Sequence, residues 1–162
     1  MAHLVGGLTL KEIGLGAGHA VWGFRAAVIS HLDCPTLING FENILSDYGR
    51  PAIDSLSVLA HALGNFGSRK LGVACPGCGV VTADELSIVA LLSAAQREDD
   101  FLADAHLAWL MGGRSQDHAK DAAFRVGAIF QAGQVEIEAP PIEISTPTRA
   151  YTGLTLHTAG HA

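Results

Sequence analysis

Apolar residues recur at helical spacing through most of this chain. Val21, Phe24, Val28 and Leu32 share one face and predict a helix from about Ala17 to Leu32. Pro35 follows Cys34; proline suits a first helical turn and pushes its predecessor out of helical geometry, so a second helix is expected to open there. Its stripe is Leu37, Phe41, Ile44, Leu45 and Tyr48, with Gly49 as the expected stop. Pro51 starts a third helix, with Ile53, Leu56, Leu59, Leu63 and Phe66 facing inward and Asp54, Ser57, His61 and Asn65 facing out.

The period breaks over residues 68–81, where RKLGVACPGCGVV follows Ser68 and is too rich in Gly and Pro for a helix. Thr82 and Glu85 then form a capping-box signature. The helix behind it is apolar nearly all round, through Leu86, Ile88, Val89, Leu91, Leu92 and Ala95, which predicts a central position with Leu91 and Leu92 buried. Two more helices are expected, about Asp99 to Met111 and Ser115 to Ala132, the last with Ala119, Ala122, Ala123, Val126 and Phe130 inward. The fold class expected is therefore all-α: a compact bundle of about six helices around the helix after Thr82, with an irregular Cys-containing loop. The glycine-rich first twenty residues predict irregular structure in which Thr9 and Glu12 can cap a short turn. From residue 135 the sequence VEIEAPPIEI alternates apolar and acidic positions and is cut by Pro140 and Pro141. The expected division is a helical domain over 1–134 and an extended C-terminal tail over 135–162.

Composition changes this picture only in places. At 162 residues one core suffices without staples. Hydrophobic residues make up 49% but aromatics only 6%, so Leu, Val, Ile and Ala must fill the core and helices can approach closely. No apolar run reaches the length of a membrane span, and the first residues lack the pattern of a secretory signal. A cytoplasmic protein is expected. The net charge of −6, with no basic cluster beyond Arg69–Lys70, argues against nucleic-acid partners and anionic membrane surfaces. A mean hydropathy of +0.30 in so short a chain points to a homo-oligomer, most simply a dimer, or to a protein partner.

Three cysteines are too few and too odd in number for a disulfide framework. Cys75-Pro76-Gly77-Cys78-Gly79 is the sharpest chemical signal, because a Cys-x-x-Cys turn aims both sulfurs at one point. A left-handed Gly79 would turn backbone N–H groups toward the thiolates. Over those five residues, and nowhere else, the chain resembles the metal knuckle of rubredoxins and zinc ribbons. The resemblance implies zinc or iron and two further ligands. His31-x-x-Cys34 has the matching spacing, giving a Cys₃His candidate set of His31, Cys34, Cys75 and Cys78. This second pair lies at a helix end rather than in a second knuckle, and no ribbon strands flank it.

Other readings stay open beside the metal. The cysteines can serve as small buried hydrophobes. They can be redox thiols, with Arg69, Lys70 and the following helix N-terminus favouring a thiolate. Cys34 or Cys78 can act as a nucleophile with a histidine supplied across the fold. Several chemistries lack their motif: no pair of Glu-x-x-His helices, no complete Gly-x-Gly-x-x-Gly around Gly14, Gly16 and Gly18, and no Gly-x-Ser-x-Gly. Glu98, Asp99, Asp100 and Asp104 read as a helix start, His61 as solvated, and His106 as a core histidine; His157 and His161 lie in the tail. The functional expectation is a non-enzymatic helical module with a structural or regulatory thiol or metal site, acting by self- or protein association. The alternative is a thiol-dependent enzyme or redox sensor using Cys34 or Cys78.

Overall fold

The computed structural model describes residues 7–113 and 116–140. They form α1 (Leu15–Val28), α2 (Pro35–Leu45), a 3-10 turn (Ser46–Tyr48), α3 (Gly49–Phe66), α4 (Ala83–Gln96), α5 (Asp100–Met111) and α6 (Asp117–Ala132). The protein is all-α. The described residues contain no strand beyond one isolated antiparallel bridge, Thr9 to Val80. No helix among them is long and apolar enough to cross a membrane.

Local chemistry explains most boundaries. Thr82 caps α4 with the complete box: its side chain accepts from the Glu85 N–H at 3.0 Å, and the Glu85 carboxylate accepts from the Thr82 N–H at 2.9 Å. Asp99 caps α5 by accepting from the Leu102 N–H, as the acidic cluster suggested. Thr9 and Glu12 close their short turn reciprocally. Two ends differ from expectation. Helix α1 stops at Val28 rather than Leu32, because Ser30 turns left-handed at φ 58°. The Ser30 N–H then bonds the Ala27 carbonyl and the His31 N–H the Ala26 carbonyl, which satisfies the helix end as a Schellman motif. Gly49 begins α3 instead of stopping α2, since the 3-10 turn carries the chain straight into the next helix.

The core is aliphatic. Leu56, Leu59, Leu91, Leu92, Phe41 and Phe130 are fully buried, and Phe24 is nearly so. Helix α4 packs against α1, α5 and α6, but it does not hold the centre alone: α3 packs against α1, α2, α5 and α6. The shared centre follows from α6, whose inward face of Ala119, Ala122, Ala123 and Gly127 is thin enough to lie against both. A Cβ on Gly127 would collide with the backbone of Ala95 and Gln96, so the α4–α6 crossing requires glycine there.

The chain after α6 folds back over the body. The Gln96 side chain brackets it, donating to the Val135 carbonyl at 2.9 Å and accepting from the Ile137 N–H at 2.7 Å. Ile137 enters the core. This strap crosses the start of α1 at Gly14 and Gly16, where any Cβ would strike Glu138 or the Glu136 backbone. The glycines of this segment thus make room for the strap. Residues 141–162, with His157 and His161, lie outside the described residues.

Candidate thiol site

The first turn of α4 organises the irregular loop that precedes it. Asp84 accepts from the Gly72 N–H at 2.7 Å and pairs with Arg69 at 2.8 Å. Arg69 also lies over the Trp109 ring, 5.1 Å from its centroid. Thr82 donates its hydroxyl to the Gly72 carbonyl at 2.6 Å. Glu85 accepts from the Ala74 N–H at 3.0 Å in addition to its capping bond. One side of the loop is therefore fastened by the same residues that start the helix.

The other side rests on Arg25 of α1, a residue with 0% exposure and the one Asp, Glu, Lys or Arg of its helix. Its Nε and Nη2 form a forked pair with Glu85 at 2.7 and 2.9 Å. Nη1 donates to the Cys78 carbonyl at 2.6 Å and the Cys75 carbonyl at 3.3 Å, and Nη2 donates to Val80 at 2.9 Å. Every guanidinium donor has a partner, which is what a buried cation requires. The bond to Glu85 raises the Arg25 pKa above its ordinary value despite burial. Burial pushes the Glu85 carboxyl up. Arg25 together with the Thr82 and Ala74 N–H groups outweighs that push and holds it below its ordinary value.

Within the loop, the Cys78 N–H donates to the Cys75 carbonyl at 3.0 Å, closing a turn over Pro76 and Gly77. Gly79 accepts from the Leu10 N–H, and Val81 donates to Leu8, so residues 8–10 line the far edge. Cys75 is exposed and Cys78 half-buried. The Cys78 thiol donates to the Val80 carbonyl at 3.6 Å. Leu10, Lys11, Leu15, His19, Trp22 and Pro76 border a cavity of about 500 Å³ beside the turn.

No protein-family model, curated protein or solved structure matches this chain. Its own geometry must therefore carry the interpretation.

That geometry departs from a metal knuckle. Gly79 does not take the left-handed backbone; the described glycines that do are Gly14, Gly112 and Gly113. The Cys78 sulfur faces a carbonyl oxygen, that of Val80. Of the set His31, Cys34, Cys75 and Cys78, only the last two share a turn. Among the described residues, no three His, Cys, Asp or Glu side chains come together where they could hold a metal ion. His31 is exposed and its N–H closes α1, while Cys34 occupies the N-cap position of α2. There the N–H groups of Leu37 and Thr36 lower the Cys34 thiol pKa.

Arg69 is engaged by Asp84 and Trp109, so the cation that contacts the turn is Arg25. Reading by periodicity missed Arg25, although a lone arginine within HAVWGFRAAVI is a visible signal of a buried ion partner. Glu85 was legible as a cap but not as that partner. His61 is exposed, and burial lowers the pKa of half-buried His106.

Proposed function

We propose that this chain is a non-enzymatic helical module, acting by association with itself or a protein partner in the cytoplasm, whose regulated point is the Cys75–Cys78 turn. The observation that carries the reading is the buried Arg25–Glu85 pair, whose guanidinium donates to the carbonyls of a dithiol turn with one exposed and one half-buried cysteine. A buried ion pair adds little to stability over apolar residues of similar size, so its use here favours a role in fixing the shape of the turn. Leu15 (59% exposed) borders the adjoining cavity and Val80 (47% exposed) lies on the loop, which gives an apolar rim for association.

Sedimentation and metal analysis of reduced wild type and of the Cys75→Ser/Cys78→Ser variant test this reading. The variant should keep its helical circular dichroism yet change its association constant by about tenfold, or lose bound zinc or iron. Unchanged association and unchanged metal content would overturn the reading.

A second reading has its own support in Cys34. A thiol at a helix N-terminus with a lowered pKa is a nucleophile in form. Faster alkylation of Cys34 than of Cys75 at neutral pH would favour a thiol-dependent enzyme.

A further inference from the structure

We infer that Cys75 and Cys78 form a reversible intramolecular disulfide by exchange with an external disulfide, Cys75 attacking first and Cys78 resolving. The inference rests on the reading of this turn as the protein's thiol site, and it names the chemistry and the order of events.

Three observations place the two sulfurs in these roles. The Cys78 N–H to Cys75 carbonyl bond makes residues 75–78 a hydrogen-bonded turn, whose end Cα atoms lie less than about 7 Å apart. That span is within disulfide reach. Arg25 holds both cysteine carbonyls, so the turn keeps its two ends at that separation. Accessibility then orders the steps. Cys75 is exposed, whereas Cys78 is half-buried with its thiol turned to the Val80 carbonyl.

The exchange balances without any group beyond the disulfide reagent. Cys75, as thiolate, attacks one sulfur of R–S–S–R; a Cys75–S–R bond forms, the R–S–S–R bond breaks, and one RS⁻ leaves. Cys78 loses its proton and attacks the Cys75 sulfur; the protein disulfide forms and a second RS⁻ leaves. The protein gives up two electrons and two protons, which convert the reagent into two RSH.

The test uses the full chain with glutathione disulfide as the probe, followed by alkylation and mass mapping. Wild type should lose the mass of two hydrogen atoms, block Cys75 and Cys78 together, and leave Cys34 open to alkylation. Cys78→Ser should stop at glutathione on Cys75. Cys75→Ser should react at Cys78 at least about tenfold more slowly. Both thiols remaining free under oxidising glutathione, or a disulfide to Cys34, overturns the inference. Stoichiometric zinc or iron on the two thiols that blocks exchange overturns it too, while leaving the proposed function intact. A disulfide that forms without changing association or metal content has the opposite meaning: the inference stands and the proposed function falls.

Discussion

The aliphatic centre between α3, α4 and α6 and the loop before α4 are built by different physics. The centre is held by non-directional burial of Leu, Val and Ala, with Gly127 permitting a close crossing. The loop has few buried side chains and is held by directed bonds from Arg25, Thr82, Asp84 and Glu85. A core of the first kind tolerates volume-conserving exchange, because many neighbours share the contact. A loop of the second kind fails when one donor is removed, because the buried partners left behind have no substitute.

The largest expected effect follows from that asymmetry. Arg25→Met leaves Glu85 buried without its counter-ion and should cost about 3–5 kcal/mol in urea unfolding. The Arg25→Met/Glu85→Met pair should cost less than the sum of the two single variants, since the uncompensated charge is removed. Strict additivity would show that the two residues act separately. In the centre, Leu91→Ala or Leu92→Ala should cost about 2–5 kcal/mol, and Leu92→Met less than about 1.5 kcal/mol. A loss at Leu92→Met as large as at Arg25→Met would erase the contrast.

This contrast also marks what the sequence could reveal. Burial of Leu91 and Leu92, the Thr82–Glu85 cap and the helical character of the chain were legible because periodicity and capping are local. The end of α1 was not, because a serine rather than a glycine adopts the left-handed position at residue 30. The shared centre was hidden too, since it depends on which helix α6 lies against. For the site, the Cys75–Cys78 turn was visible as a motif. Its support was not, because Arg25 and Glu85 are sixty residues apart and meet only in the fold. The four-ligand set joined two spacings that the fold does not bring to one point.

Acid should separate the two regions. Glu85 has a folded pKa below its unfolded value of about 4.3, so its contribution is fully present above that pH and is lost as pH falls through the folded value. Wild type should therefore lose stability steeply below about pH 4.3, and Glu85→Gln should show a shallower acid limb. An identical acid limb in both would mean that the loop anchor does not titrate with folding. The smallest effect concerns the helix ends: Ser30, Glu98 and Gln134 are left-handed non-glycine residues. Each change to Gly should stabilise by a few tenths to about 1 kcal/mol, the relief of backbone strain exceeding the added chain entropy. Thermal unfolding that shows a loss at all three would contradict the assigned geometry.

The central claim is that Arg25 fixes the shape of the dithiol turn, and native-state hydrogen exchange on wild type and Arg25→Lys tests it most directly. Lysine keeps the positive charge but cannot present the forked donors that reach Glu85 and three carbonyls together. The account predicts that the Ala74, Cys78 and Thr82 amides lose protection in Arg25→Lys by about tenfold or more beyond any change in the amides of α3 and α6. Equal protection of the loop amides in both proteins, or a uniform loss across loop and core, would contradict it.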